Sequence, residues 1–504
     1  MYNSKYPTKV IGCMITASHN VWWDNGVKVT IDGEIPSQEE EDIIKDGMAR
    51  CMEGGMDGGM DGGTDRGMEE EGNHNYKHTN TLVLGWDNRY SSPYLVSVIS
   101  LGWAGPVRTV GLCSTPVLHW CAEVGGVGGR DGGRDVNMWC EEFGGAFREF
   151  MSLVKPFGPT TTVNVDCAMG SASTLLPSLL PHLAPYLNLN LLNVYPPSTS
   201  GAVVNTRLNN RCGSEHVQNS RSTPKVYNGD PRNWSGMSAS VDGDVDRIVF
   251  FSKGRGDGTE VKLYDGDRVN SLLTKWIVET TKGEMWGGGK DVRVGAVQTA
   301  YANSNSTKFL KKLGVECNVV KTGVRYLHHC ASRYDVGVYF EPNGHGTVLF
   351  GTSFSSWLDS RSNAESTLPY WVEAMRATKR LCNQLVGCAV SDLLVVTGVL
   401  EATGGGWEGF YKDVTTTITK VRVLDKGVLK CNHNETKVVE PRGMQGELDE
   451  IMRKGEGRVF VRASNTEDVV RVFAETERGE GQCKNLAEEV ERVVLKWCGA
   501  RSKM

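Results

Sequence analysis

The chain has 504 residues, 39% hydrophobic and 23% charged, with a formal net charge of −5. That is the composition of an ordinary globular protein of several domains, and its mild acidity argues against nucleic acid or an anionic membrane surface as a partner. The 14 cysteines are scattered with no Cys-x-x-Cys pair, which fits reduced thiols in the cytoplasm and neither a disulfide framework nor a zinc site. No basic segment followed by an apolar core opens the chain, so no signal peptide is read.

Taken in order, the near-apolar run Val10–Ile15 predicts a short buried strand. The polar loop Thr16-Ala17-Ser18-His19-Asn20 follows at its carboxyl end, where α/β enzymes place their chemistry. A helix is expected near Ser37–Met52. Two glycine-rich tracts, Gly54–Gly63 with the acidic residues after it and Gly125–Gly133, cannot bury enough apolar surface to offset their ordering entropy and read as disordered surface insertions near 54–72 and 125–135. Between them strands are expected at Thr81–Gly85 and Val107–Leu112, with a helix capped by Ser91 or Ser92. A second unit runs from a strand near Thr160–Asp166 through a Leu-rich helix and strand Leu189–Val194 to Ala239–Phe251. Pro177, Pro181 and Pro185 break the Leu-rich stretch and argue against a membrane span.

A third unit holds helices Arg268–Thr280 and Ser306–Lys312 and strands Val292–Val297, Val315–Val320 and Val336–Glu341. The last part differs, with strands Thr415–Leu424, Gly457–Arg462 and Val469–Glu475 and a terminal helix Asn485–Trp497. Strand–helix alternation in three units followed by grouped strands predicts α/β architecture: three related mixed-sheet domains plus a smaller C-terminal α+β domain. The expected bounds are 1–157, 158–264, 265–390 and 391–504.

Asp242, Asp244 and Asp246 stand at i, i+2, i+4 in a Gly-containing loop between apolar residues. Three carboxylates so close repel one another unless a cation neutralises them, and an all-oxygen set favours a hard ion such as Mg²⁺. An EF-hand needs Gly at the sixth position and Glu at the twelfth; Arg247 and Lys253 stand there. Arg247, directly after the acids, is placed to meet a phosphate held by the same ion. Arg462-Ala463-Ser464-Asn465-Thr466-Glu467 with Arg471 has the donors of a phosphate-monoester loop, although a capped turn with a surface salt bridge explains it equally well in isolation. Glu341-Pro342-Asn343-Gly344-His345 carries a carboxylate, an amide and an imidazole suited to sugar hydroxyls, but by itself reads as a satisfied turn.

Ser18 lacks the Gly-x-Ser-x-Gly elbow of a serine hydrolase, and no Gly-x-x-x-x-Gly-Lys-Ser/Thr marks a nucleotide site. A serine able to carry phosphate, an acid cluster, a polyol clamp and an anion loop together point to phosphoryl transfer on a sugar.

Thr16–Asn20, Asp242–Arg247, Glu341–Gly346 and Arg462–Glu467 resemble the four signature loops of the α-D-phosphohexomutases. The Asn343-Gly344-His345-Gly346 form of the sugar loop resembles the eukaryotic phosphoacetylglucosamine mutase branch. So do Val297–Asn303, Lys321–Val324 with His328-His329, and Glu467–Val472. The resemblance implies four domains around a central cleft. It implies interconversion of N-acetylglucosamine 6-phosphate and 1-phosphate, toward UDP-N-acetylglucosamine, through a phosphoserine and a 1,6-bisphosphate that also serves as activator. It implies Ser18 as the phosphoserine, with Asp242, Asp244 and Asp246 and the seryl phosphate holding one Mg²⁺. Arg247 steadies that phosphate, with His19 and Lys28 beside it and Lys28 assigned to proton transfer. Glu341, Asn343 and His345 grip the sugar, and Arg462, Ser464, Asn465, Thr466 and Arg471 hold the other phosphate. The expected partner is a small phosphosugar, with no nucleic acid and no membrane, for a cytoplasmic monomer or weak homo-oligomer.

The sequence departs from the family pattern in places. Only 17 residues precede Ser18, so the usual earlier segment and its arginine are missing, as in a truncated gene model, and the first domain is expected to lack a strand. Val21 stands for a Pro, Asn88 and Tyr90 for a Thr and a Pro, and Asn465 for a Gly. A phosphosugar-binding relative without turnover, and a glucose or mannose phosphate mutase, are the alternative readings.

Overall fold

A computed structural model describes residues 9–44, 80–123, 135–196, 204–230, 234, 236–254, 260–361, 368–407, 409–464 and 468–499. Both glycine-rich tracts lie outside these residues, as do Asn465, Thr466, Glu467 and the part of the expected Ser37–Met52 helix beyond residue 44. Residues 38–44 are helical.

Three of the sheets share one design. In the second unit Thr161–Asp166 lies between the parallel strands Leu187–Leu192 and Ser238–Val241, and Ile248–Lys253 and Val261–Tyr264 extend the sheet antiparallel. In the third, Val294–Thr299 lies between parallel Glu316–Val320 and Val336–Phe340, with Gly346–Phe350 antiparallel outside. In the first, Thr81–Trp86 lies between parallel Val107–Leu112 and Val10–Ile15, with Val27–Ile31 antiparallel outside. The spatial order is the same in all three, but in the first sheet the antiparallel pair comes first along the chain. The first sheet has four strands, with Thr81–Trp86 and Val107–Leu112 in the inner and outer parallel positions.

This shared order sends one loop out of each sheet at the same point, where a parallel strand turns into its antiparallel neighbour. Residues 16–26, 242–247 and 341–345 are those loops. The strands that deliver them are apolar because helices cover both faces of such sheets; every residue of Val336–Phe340 is buried.

One hydrophobic core runs through all three units, joining Val83, Phe147, Val165, Phe250, Val338 and Leu394. Its spine is the helix Val136–Val154, whose N-cap Asp135 accepts from the Met138 amide at 2.9 Å. That helix packs on Ala172–Leu183, Tyr370–Leu381 and Ala389–Ala402. Ala172–Leu183 continues through Pro177 and Pro181 rather than breaking at them. The expected domain start at residue 391 falls inside Ala389–Ala402, a helix buried in the shared core. Ser91 sits at the N-cap of Ser92–Gly102 but makes no capping bond; its hydroxyl accepts instead from Asn25 Nδ2 at 2.9 Å.

The C-terminal part is a three-stranded antiparallel sheet, ordered Thr415–Arg422, Val469–Thr476, Gly457–Ala463, under helices Met444–Gly455 and Glu480–Cys498, with its own core. Its seat on the third unit is largely polar. Arg458 donates to the carbonyls of Ala300 and Ala302, both at 2.7 Å, Ser304 N donates to Glu475 at 2.8 Å, and Asn303 Nδ2 donates to Val414 O at 3.0 Å. A small apolar contact of Ala300, Phe460 and Phe473 completes it. Among the described residues no helix is long and apolar enough to cross a membrane.

Candidate active site

Ser18 leaves the first strand in the left-handed backbone region, φ 49°, and is 6% exposed. Its amide donates to Thr16 Oγ1 at 2.9 Å, and Thr16 Oγ1 donates in turn to Asp87 Oδ2 at 2.8 Å. The Ser18 carbonyl accepts from Arg89 Nη2 at 2.9 Å and Asn209 Nδ2 at 2.8 Å. With both sides of its backbone held, its Oγ donates to Asp244 Oδ2 at 3.1 Å across 226 residues of sequence. A Cβ on Gly243 would lie 2.7 Å from the Ser18 carbonyl oxygen, so only glycine lets the acid loop come this close.

Asp242, Asp244 and Asp246 are all buried and offer carboxylate oxygens within 4.8 Å of one another. Asp244 Oδ2 is a hub: besides Ser18 it accepts from Lys28 Nζ at 2.6 Å and Thr115 Oγ1 at 2.6 Å. Lys28 also donates to Asp246 Oδ2 at 2.6 Å, while Arg247 Nε lies 3.9 Å from Asp242 and 3.7 Å from Asp246. Three carboxylates thus face two cations, one negative charge in excess. Burial pushes Asp242 well up, reinforced by the neighbouring acids. At Asp246 burial acts upward too, but Lys28, His345 and Arg247 outweigh it and hold the carboxyl well below its ordinary value. Burial opposes the Lys28 charge, yet Asp244 and Asp246 prevail and raise its pKa.

Each acid keeps one buried oxygen with no hydrogen-bond partner among the described residues: Asp242 Oδ2, Asp244 Oδ1 and Asp246 Oδ1. Orphaned buried carboxylate oxygens are costly, and an all-oxygen set of this charge fits a hard dication.

The third loop docks directly on the acid loop. The Ile248 amide donates to Gly344 O at 3.2 Å, and His345 Nδ1 lies 3.5 Å from Asp246 Oδ1. Gly344 has φ 85°, and a Cβ there would meet Ile248 O at 1.9 Å, so the sequence Asn343-Gly344-His345 is dictated by this approach. Asn343 Nδ2 donates to Glu341 Oε2 at 3.2 Å, and its Oδ1 accepts from the His345 amide at 3.0 Å.

Across from these loops the C-terminal sheet presents a row of cations. Arg462 pairs with Arg471, and Arg471 pairs with Lys420, in register on three adjacent strands. Residues directly opposite share a sheet face, and like charges there repel; Glu435 beside Arg462 and Glu215 near Lys420 and Arg471 offset part of that repulsion. Arg462 is 8% exposed; its Nε donates to Tyr301 Oη at 2.9 Å and lies 3.8 Å from Glu435 Oε2. Ser464 is buried and its amide donates to Val469 O at 2.9 Å. Glu215 marks where the row meets the acid loop: burial pushes its carboxyl up, while Arg247 on one side and Lys420 and Arg471 on the other pull it down. His19 lines a cavity of about 270 Å³ with Asn209, Arg211 and Glu215, lies 3.6 Å from Glu215, and is held neutral, pushed down to about 3 by burial and then by Arg247.

Ser18, Lys28, the three acids, Arg247 and His345 therefore converge on one spot, with Glu341 and Asn343 on the same loop as His345. Arg462, Ser464 and Arg471 lie together on the C-terminal sheet, Arg471 sharing the neighbourhood of Glu215 with Arg247, and His19 stands in a side cavity. Sequence reasoning missed Thr115, Asn209, Arg89 and Lys420. Lys420 left a signal as a polar position of the alternating strand Thr415–Arg422, and Arg89 one as part of the family-like stretch Gly85–Ser92. Lys28, expected to move a proton, is held as an ammonium between two carboxylates.

Three hairpin loops and a cation row around one cleft define the α-D-phosphohexomutase class. Residues 265–405 match the family model for domain III of phosphoacetylglucosamine mutase AMG1, and residues 420–493 match that of the phosphoglucomutase/phosphomannomutase C-terminal domain. The chain is 33% identical over 519 residues to phosphoacetylglucosamine mutase of Oryza sativa subsp. japonica, covering 98% of this chain and 90% of the relative. It is 33% identical over 511 residues to that of Homo sapiens, covering 98% and 89%. Among solved structures it superposes on N-acetylglucosamine-phosphate mutase in the product complex with a TM-score of 0.82 and 29% identity, over 97% of this chain and 90% of that one. On the Aspergillus fumigatus N-acetylphosphoglucosamine mutase with GlcNAc-6P and magnesium the TM-score is 0.79 at 29% identity, over 97% and 89%. The chain belongs to the phosphoacetylglucosamine mutase family.

Proposed function

We propose that this chain is an isomerase that interconverts N-acetylglucosamine 6-phosphate and N-acetylglucosamine 1-phosphate, a step toward UDP-N-acetylglucosamine, in the cytoplasm. The observation that carries the reading is Ser18 Oγ bonded to Asp244 at 3.1 Å inside a triad with three orphaned carboxylate oxygens.

Asp242, Asp244 and Asp246, with a phosphate on Ser18, would hold Mg²⁺, which would supply charge to offset that developing on the transferring group. The other parts position, as phosphoryl transfer requires. The sugar 1-hydroxyl oxygen bonds to the phosphorus of phospho-Ser18, the Ser18 Oγ–phosphorus bond breaks and the hydroxyl proton ends on Ser18 Oγ, giving the 1,6-bisphosphate; the return step runs the same exchange in reverse at the 6-oxygen. After the sugar turns over, its 6-phosphoryl group returns to Ser18 and the 1-phosphate leaves. Lys28, bonded to Asp244 and Asp246 beside the serine oxygen, balances charge there with Arg247 and is the group assigned to proton transfer. Glu341, Asn343 and His345 hold sugar hydroxyls in both orientations. Arg462, Ser464 and Arg471, with Asn465 and Thr466 of the same loop and Lys420 beside them, clasp whichever phosphate is not reacting. His19 borders the phosphate from its cavity.

Incubation with N-acetylglucosamine 6-phosphate, Mg²⁺ and trace 1,6-bisphosphate tests this. Formation of the 1-phosphate is expected. No product sinks the reading in favour of a binding protein, and a higher kcat/KM for glucose or mannose phosphate overturns the sugar assignment.

A further inference from the structure

We infer that Arg89 is a positioning residue for phosphoryl transfer, acting through the backbone of the serine loop; the inference rests on Ser18 being the phosphoryl carrier. All five N–H donors of its guanidinium are engaged. Nε donates to Asp87 Oδ2 at 2.8 Å, Nη1 to the carbonyls of Val21 at 2.6 Å and Asp24 at 2.8 Å, and Nη2 to those of Ser18 at 2.9 Å and Asn20 at 3.1 Å. The side chain is fully buried. The loop wraps around this planar fork with its carbonyls turned inward, an arrangement for which no other side chain has enough donors.

The pair Asp87 and Arg89 grips Ser18 from both sides of its Cα. Asp87 fixes the amide through Thr16 Oγ1, and Arg89 fixes the carbonyl directly. Asn209, from the second unit, adds bonds to the Ser18 carbonyl at 2.8 Å and the Asn20 carbonyl at 2.9 Å. A non-glycine residue in the left-handed region persists only when its surroundings over-determine it, and here they do. The side-chain torsion of Ser18 is what remains, and it aims Oγ at Asp244. Arg89 touches no reacting atom; it sets where the reacting oxygen is.

Arg89→Lys keeps the charge and gives up most of the cage. The expected result is a fall in kcat of about 10²-fold, the cost of a misplacement on the order of 1 Å, with KM for the phosphosugar within about threefold. Uptake of phosphate on Ser18 from a 1,6-bisphosphate, followed by intact mass, slows in parallel, and methylguanidinium added to Arg89→Gly restores part of it. Melting curves are taken alongside. If Arg89→Lys does not fold, Asn209→Ala serves, with an expected loss of about 10-fold in kcat and none in KM. A folded variant with kcat within about twofold of the parent, or with its loss confined to KM, overturns the inference. The uptake assay separates this from the mutase reading: a parent that takes up phosphate but makes no 1-phosphate overturns only the latter, and one with no uptake overturns both.

Discussion

The two banks of the cleft hold like charges together in opposite ways. On the serine side three buried acids are tied to Lys28, Arg247, Thr115 and Ser18 and rest on a core common to three units. On the other side Lys420, Arg471 and Arg462 line up across a sheet whose own core meets the rest through a mostly polar seat. The acid bank is assembled before substrate arrives. The cation row, in the proposed function, takes the phosphate that is not reacting. Damage to the first should therefore appear in kcat, and damage to the second in KM.

Ser18→Ala gives the largest effect, a fall in kcat of about 10³-fold or more because the phosphoryl carrier is gone, with one phosphate's mass lost from the intact protein. Asp244→Asn comes next. It removes a charge from the oxygen that Ser18, Lys28 and Thr115 share, and kcat should drop by about 10²- to 10³-fold with a raised Mg²⁺ requirement. Arg471→Ala should raise KM for the phosphosugar by about 10- to 100-fold, the worth of a charge-assisted bond, while kcat changes little; Lys420→Ala should do the same more weakly. A fall in kcat with constant KM in either variant would break the contrast between the banks.

The smallest effect is on stability. His119, on the helix Thr115–Ala122 beside the turn at Gly33, is pushed down to about 4 from 6.5 by burial, with only partial compensation from its 2.7 Å contact to Gly33 O. A lowered histidine adds stability that is whole above pH 6.5 and is lost as pH falls through 4. The melting temperature of the parent should decline more steeply over that interval than that of His119→Gln. Equal slopes would remove this residue from the account.

The acid triad was legible because its spacing is local: three aspartates in five positions between apolar strands. Arg462 and Arg471 were legible with it, since a two-strand hairpin brings them together. Lys420 was not, because its pairing with Arg471 is a long-range register between strands. Arg89 was harder still. It stands in a family-like stretch, Gly85–Ser92, but the carbonyls it gathers carry no sequence signature, so its role could not be read there. The first sheet was less legible for a related reason: its order in space equals that of the other two, but its order along the chain does not.

That reordering has a consequence for how the protein is made. The strand bearing Ser18 leaves the ribosome 71 residues ahead of the arginine that cages it and 226 ahead of the aspartate it faces. Contacts so distant in sequence form late in folding. Regained turnover would then report the docking of separate units, arriving after the helices and sheets of each have already formed.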